Sequence, residues 1–320
     1  MEPDISVIIP NYNCASWLSE VIASCFADYD NIEVIVVDDF STDNSLKILY
    51  SLNELYGNKL LVLNNEKKGA NNARNLGFKY SRGKFIQWLD ADDFILKGKF
   101  RNQVREMQSD LSIDIIYSDW ILAYYDSERN FKSFKYCKAI ETDDYLLALL
   151  RNNWVAQHSY LLRRSFASRL HSINAWGTNT LISQDREYYT VAALSGAKFK
   201  YLPGFYAQYN KWNAQSVSSG SIKNRSIALW SILNRFDEMI KGNEQFCYNN
   251  SYTQVVYTSR LLCAVYEASL RRSFFKLKYH VVDYSEISGF RTTIKCKLLV
   301  NFGRVRKLFS RFILHSFVIY

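Results

Sequence analysis

Phe85-Ile86-Gln87-Trp88-Leu89-Asp90-Ala91-Asp92-Asp93 is an apolar run that ends in three carboxylates. A strand covered on both faces, as in a parallel sheet, reads as a continuous apolar run. Carboxylates this close repel one another unless something positive sits among them. A hard divalent cation with oxygen ligands meets that need, and one that keeps open positions also holds substrate phosphates. A solvated strand end or a helix N-cap is the ordinary reading of one isolated Asp. Three within four residues favour the cation and its diphosphate.

Working outward, the first hundred residues alternate strand and helix. Ile5-Ser6-Val7-Ile8-Ile9 reads as a strand stopped by Pro10-Asn11-Tyr12-Asn13, and Trp17, Leu18, Val21, Ile22, Cys25 and Phe26 recur at helical spacing after it. Ile32-Glu33-Val34-Ile35-Val36-Val37 is a second strand ending in Asp38-Asp39, and Ser41-Thr42-Asp43 can cap a helix bearing Leu46, Leu49, Leu52 and Tyr56. Leu60-Leu61-Val62-Leu63 is a third strand, followed by a helix near 71–79, and the opening run is the fourth. This rhythm predicts an α/β fold, a mostly parallel sheet flanked by helices. Ligands of such sheets bind beyond the carboxyl ends of the strands, where 11–13, 38–39 and 90–93 fall. From 113 to 202 the pattern is mixed, with a strand at 113–117 and helices near 143–151 and 185–194. After Ser221 the chain reads as helical. The expected organisation is a domain over 1–220, divided into halves 1–110 and 111–220, and a basic helical extension over 221–320.

Composition narrows the class. The chain has 320 residues, 48% hydrophobic and 22% charged, which is ordinary for a globular protein. Its six cysteines include no CxxC pair, so a zinc site or disulfide framework is not expected and a reducing cytosol is. The acidic start Met1-Glu2-Pro3-Asp4 leads straight into a strand, so no secretory signal is expected, and no uncharged apolar run is long enough to span a bilayer. The net charge of +9 is uneven: residues 221–320 hold 16 Lys+Arg against 6 Asp+Glu, and no acid follows Glu286. The segment 293–320 mixes six basic residues with Leu, Phe, Val and Ile, which suits either an anionic membrane surface or a helix packed on its own domain. Nucleic acid is not the expected partner, because no recognised module accompanies the charge.

Four stretches together resemble the inverting family 2 glycosyltransferases of GT-A fold, of the kind that build bacterial polysaccharide, lipopolysaccharide and capsule. They are Val7-Ile8-Ile9-Pro10-Asn11-Tyr12-Asn13, Val37-Asp38-Asp39-Phe40-Ser41-Thr42-Asp43-Asn44-Ser45, Gly69-Ala70-Asn71-Asn72-Ala73-Arg74-Asn75-Leu76-Gly77 and Leu89-Asp90-Ala91-Asp92-Asp93. The resemblance covers roughly residues 4–100, thins from 110 to 220 and is nearly absent beyond.

The resemblance implies a UDP-sugar donor bound by Pro10, Tyr12, Asn13, Asp39, Arg74, Asp90 and Asp92, with Asp39 on uracil. It implies a divalent cation, Mn²⁺ or Mg²⁺, contacted directly by Asp93 and supported by Asp92. Arg74 suits a diphosphate or a base edge, and a surface salt bridge is its other reading. Inverting transfer needs a base for the acceptor hydroxyl. The family places it in a Glu-Asp pair opening a helix, which matches Gln184-Asp185 here, with Gln where Glu is common. Asp185 is therefore the candidate base, or else a first-turn Asp on a helix dipole. His158, Trp176 and Gln184 are candidates to face the acceptor, His158 being equally readable as a core histidine. Many relatives complete the metal shell with a His in a Tyr-Arg-x-His segment, yet Tyr209-Asn210-Lys211-Trp212 carries Asn and Trp there. Either metal affinity is weak without nucleotide, or Lys211 supplies positive charge.

The expected function is transfer of a hexose or N-acetylhexosamine to a saccharide acceptor, lipid-linked, by a cytoplasmic enzyme peripheral to the inner membrane face. A nucleotidyltransferase-like enzyme and a non-catalytic nucleotide-sugar-binding scaffold are the alternatives.

Overall fold

The computed structural model describes residues 2–177, 182–212, 222–248, 251–257 and 259–260. The chain clusters into two units, Met1–Leu149 with Asn153–Ser216, and Leu150–Asn152 with Val217–Tyr320. The basic segment 293–320 lies outside the described residues. Among the described residues no helix is long and apolar enough to cross a membrane.

In the first unit β1 (Ile5–Asn11), α1 (Ala15–Asp28), β2 (Ile32–Asp38), α2 (Ser45–Tyr56), β3 (Leu60–Asn64), α3 (Ala70–Tyr80) and β4 (Phe85–Trp88) alternate as predicted. They pair in parallel in the order β3-β2-β1-β4, with Ile8 opposite both Ile35 and Trp88. Every residue of β1, β2 and β4 is buried, which is why these strands read as unbroken apolar runs. Pro10 does not stop β1, which continues to Asn11 against Asp38. Ile8 C=O accepts from Leu89 N–H on the β4 side, whereas Asn11 C=O accepts from Asp39 N–H on the β2 side. Pro10 therefore faces the β4 side, where the ladder has already ended at Ile8. Its missing N–H costs no bond.

Beyond β4 come β5 (Phe94–Ile95), α4 (Lys99–Ser109), β6 (Ile115–Tyr125), β7 (Phe131–Cys137), α5 (Tyr145–Leu150), β8 (Leu161–Arg163), α6 (Arg164–Ser172), α7 (Gln184–Leu194) and β9 (Phe199–Lys211). β8 enters antiparallel between β4 and β6, β9 runs parallel to β6, and β5 and β7 pair antiparallel at its margins. The described sheet is thus parallel in its first half and mixed in its second. β6 runs on through Ser118-Asp119 because Asp119 is satisfied: its carboxylate accepts from the Tyr201 hydroxyl (2.8 Å), Ala139 N–H (2.9 Å) and Gly204 N–H (3.3 Å). On one sheet face Trp17, Leu18, Val21, Ile22 and Cys25 of α1 join Phe100, Val104 and Met107 of α4 over Ile5, Val7 and Ile9. On the other, Ala73 and Leu76 of α3 cover Ile35 and Val37. Each large side chain so buried contributes about 1.5–3 kcal/mol.

In the second unit α8 (Ile222–Lys241) and α9 (Glu244–Cys247) are described. Ile232, Leu233, Phe236, Ile240, Phe246 and Val256 are buried there, and Asp237 pairs with Lys241 and Arg260.

One close approach fixes how α3 returns to the sheet. Gly83 N–H donates to Ser6 Oγ at 2.7 Å, and that hydroxyl donates to Glu33 at 2.7 Å, which Arg82 also holds through two nitrogens. A Cβ at position 83 would stand 2.4 Å from the Ser6 backbone nitrogen. Gly83→Ala is expected to lower stability by about 1–3 kcal/mol, read as a lower urea midpoint with an unchanged slope.

Candidate functional site

The carboxyl ends of β1, β2 and β4 form one edge. Asn11 donates its amide to Asp38 Oδ1 (2.8 Å) and Ser41 Oγ (3.1 Å), and Ser41 N–H returns to Asp38 Oδ2 at 3.0 Å. Asn13 sits at φ 53°, a left-handed conformation that Asn tolerates. Its Oδ1 accepts from Thr42 N–H at 2.7 Å. Asp43 accepts from Ala15 N–H (3.0 Å) and Ser45 N–H (2.9 Å), tying the starts of α1 and α2 together. Pro10 is buried within this frame, while Tyr12 is left 46% exposed, its ring 4.8 Å from Lys68 Nζ.

Asp39 is buried just beyond β2. Gly69 N–H reaches both its oxygens (2.8 and 2.9 Å), and the Asn65 amide reaches Oδ1 at 2.7 Å. Gly69 adopts φ 127°, a backbone open to glycine almost alone, and that conformation accompanies the N–H turned onto Asp39. An ionised carboxylate offers about four acceptor positions. Oδ2 therefore keeps one.

Arg74 lies on α3 and is buried, not a surface ion pair. Its Nη2 donates to Asp90 Oδ1 (2.8 Å), and its Nη1 to Asn71 Oδ1 (2.9 Å) and Gln184 Oε1 (3.0 Å). The guanidinium carbon lies 4.5 Å from the centre of the Trp176 ring. Asp90 takes a second bond from Gln157 Nε2 at 2.8 Å and keeps its side chain 38% exposed. Asp92 is partly buried: Oδ2 accepts from Trp212 Nε1 at 2.7 Å, and its backbone carbonyl from the Asn210 amide at 2.6 Å. Asp93 is fully buried, with Oδ1 accepting from Asn210 N–H at 2.7 Å and Oδ2 3.2 Å from His158 Nδ1. Burial, reinforced by the charge of Asp90, pushes Asp93 well above the carboxylate range. Burial pulls His158 down to about 4. Both shifts disfavour the charged forms that an ion pair between them would need.

Asp185 lies in the first turn of α7, after Gln184 and the capping Ser183, which is held at φ 57°. Its Oδ2 accepts from Trp154 Nε1 at 2.5 Å, and Trp154 stands edge-on to Trp120 and to Tyr209, both at 5.7 Å between ring centres. Burial pushes the Asp185 carboxyl above its ordinary range, the Trp154 N–H opposing in part. Gln184, beside it, ties α7 to Arg74 and through Arg74 to Asp90.

The structure thus brings Asp90 and Gln184 onto the buried Arg74 guanidinium, with Asp92 and Asp93 following Asp90 in the chain and Asp185 following Gln184. Arg74 is itself buried and spends its guanidinium on Asp90, Asn71 and Gln184. His158 is 1% exposed against Asp93, and Trp176 is 3% exposed, stacked 4.1 Å from Tyr188. Asp93 is 0% exposed, whereas Asp90 and Asp92 each keep some exposure. Gln157, Trp154, Asn210 and Trp212 were not anticipated as site residues. The segment 209–212 had departed from the histidine pattern, and that departure was the available signal: Asn210 and Trp212 grip the acids by hydrogen bonds.

Among the described residues no three His, Cys, Asp or Glu side chains converge as a ready-made metal cage. The carboxylates nonetheless suit a hard cation whose remaining ligands are phosphates and water. Burial, then the charges of Asp93 and Asp90, push Asp92 up to about 8, the signature of acids crowded without a counter-charge.

Comparison with known proteins agrees with this architecture. The family model described as Glycosyl transferase family 2 matches residues 6–169, half of the chain. An uncharacterized glycosyltransferase of Haemophilus influenzae is 33% identical over 153 residues, 48% of this chain and 59% of that protein. The Escherichia coli UDP-Glc:alpha-D-GlcNAc-diphosphoundecaprenol beta-1,3-glucosyltransferase WfaP is 33% identical over 120 residues, 37% of this chain and 46% of that protein. The chain thus spans about half the length of these curated relatives. The structure of S. aureus TarS 1-349 in complex with UDP-GlcNAc superposes with a TM-score of 0.67 at 16% identity, over 99% of this chain and 90% of that one. It shares the GT-A fold.

The raised Asp92 carboxyl has a consequence for stability. Its folded-state pKa exceeds the ordinary 3.8, so its favourable contribution is complete below about 4 and is lost as pH rises toward about 8. In metal-free buffer the melting temperature should fall across that window. Asp92→Asn should flatten the fall without abolishing it, since Asp93 and Asp185 are raised as well. Calorimetric melts of both proteins from pH 5 to pH 8.5 measure the difference.

Proposed function

We propose, from the premise that this chain belongs to glycosyl transferase family 2 and is a glycosyltransferase, that it moves a hexose or N-acetylhexosamine from a UDP-sugar to a lipid-linked saccharide with inversion, in cell-surface polysaccharide synthesis. The observation that carries this reading is Asp185: a carboxylate made more basic by burial, at the head of α7, and linked through Gln184, Arg74 and Asp90 to the donor-side acids. A base beside, but separate from, the leaving-group site is what in-line displacement needs. As the acceptor oxygen bonds the anomeric carbon, the bond to the UDP β-phosphate breaks and the hydroxyl proton passes to Asp185.

The donor side supports uridine. The acceptor position left on Asp39 Oδ2 suits an imide N–H, which uracil has and cytosine lacks. Tyr12, after β1 on the same sheet edge, offers an exposed ring. WfaP, named for UDP-Glc, and the UDP-GlcNAc complex of TarS support the same donor class. Asp90 and Asp92 would hold a divalent cation, Mn²⁺ or Mg²⁺, which when bound neutralises charge developing on the UDP leaving group.

Asp185→Asn is expected to lower transfer by about 100- to 10,000-fold while leaving UDP binding intact. Undiminished transfer would show that the base lies elsewhere. Because Asp185 must be ionised to act and its carboxyl is raised, kcat should fall with decreasing pH above the usual carboxylate range. The pH profile of the Asn variant's residual activity should lack that limb. Chelation should suppress release of UDP from a UDP-sugar, with recovery on adding Mn²⁺ or Mg²⁺.

A further inference from the structure

Trp154 lies between α5 and β8 and carries its indole between two other aromatic rings. Trp120 of β6 and Tyr209 of β9 each stand 5.7 Å from it between ring centres, at interplanar angles of 87° and 72°. Trp120 is buried, so this clamp belongs to the packed interior. Edge-on packing against two rings fixes the plane of the indole, and with it the direction of the one polar bond it carries. That bond is spent on Asp185 Oδ2, 2.5 Å away. An indole N–H donates and never accepts. It meets a carboxylate oxygen but has no lone pair for the O–H of a carboxylic acid.

The other charges near Asp185 largely offset one another. Burial raises the carboxyl, and among the contacts that oppose it the Trp154 N–H comes first, ahead of the Arg186 backbone N–H. Asp90 beyond β4 and Arg74 on α3 act on Asp185 in opposite directions, and they are paired with each other at 2.8 Å. Burial pulls His158 down to about 4 and pushes the hydroxyls of Tyr160, Tyr189 and Tyr209 up, so all four stay uncharged near neutral pH. On α7 itself Arg186 and Glu187 follow Asp185, both buried. A positive charge in the place of Trp154 would favour the anion strongly and weaken it as a base. A neutral donor favours the anion less steeply, which keeps its basicity near working pH.

We propose that Trp154 is a positioning residue for the base: its clamped indole N–H, directed at Asp185 Oδ2, holds the carboxylate in one orientation and in its ionised form until the acceptor proton arrives. The proposal rests on the reading of Asp185 as the base and deepens it by assigning what keeps that base ready.

Two readings test it, one of the indole itself and one of the rate. The full chain has seven tryptophans, and with ¹⁵N labelling Trp154→Phe identifies which indole N–H signal belongs to position 154. In the unaltered protein that signal should titrate with a midpoint above the ordinary carboxylate range, and in Asp185→Asn the titration should vanish. In transfer assays Trp154→Phe should move the acid limb of kcat upward by about one pH unit, with KM for the UDP-sugar unchanged. A protein carrying at 154 the tryptophan isostere with sulfur in place of the N–H keeps the shape of the ring and should show the same displacement. Activity lowered equally at every pH, with the limb unmoved, would reduce Trp154 to packing and overturn the proposal. An indole signal indifferent to pH, in a protein whose transfer requires Asp185, would overturn it while the base reading stands. If the titration holds but Asp185→Asn transfers undiminished, the base reading falls and the positioning role falls with it.

Discussion

One buried positive charge organises this site. The Arg74 guanidinium joins α3, the end of β4 and the start of α7 through Asn71, Asp90 and Gln184, with Trp176 beneath it. Without it, Asp90 would face Asp92 and Asp93 with no counter-charge. Removing one partner from a buried pair costs about 3–5 kcal/mol, because the other charge is left uncompensated. Asp90 is partly exposed, so the cost here falls at the low end of that range. Gln at 184 matters in the same balance. A neutral amide accepts from Arg74 without competing as an anion, leaving the full charge of the guanidinium for Asp90.

Depth then divides the three acids. Asp90 is half open and doubly bonded at one oxygen, Asp92 is partly buried and held by an indole N–H, and Asp93 is sealed against Asn210 and His158. Solvation falls in that order, and the cost of carrying a charge rises with it. Asp93 therefore suits a framing role, fixing the turn after β4 through a backbone N–H. Asp90 and Asp92 retain the exposure that a ligand to an exchangeable cation needs.

The sequence made the first half of the fold legible because its signals are local. Continuous apolar strands, helical periodicity between them and acids at strand ends all operate within a few residues. The second half depends on partners far apart in the chain. β8 slips antiparallel between β4 and β6, a placement that no periodicity announces. Asp90 meets Gln157 at a separation of 67 residues, and Asp92 meets Trp212 at 120. Individual acids could thus be nominated from motifs, while their depth and partners could not. His158 and Trp176 illustrate the difference: each is near the acids, but packing turns both inward.

β9 shows how one strand can hold two sets of contacts. Asn210 and Trp212 hydrogen-bond Asp92, while Tyr209 touches both Trp154, the indole bonded to Asp185, and His158, which lies against Asp93. The alternation follows from the two-residue period of a strand, so a slip of one residue would exchange the two sets. Register is fixed at several points at once: the Asn210 N–H on Asp93, the pairing of Phe94 with Gln208, and the long parallel ladder to β6. The same hydrogen bond that seals Asp93 therefore also sets which β9 side chains line the face beside Asp185.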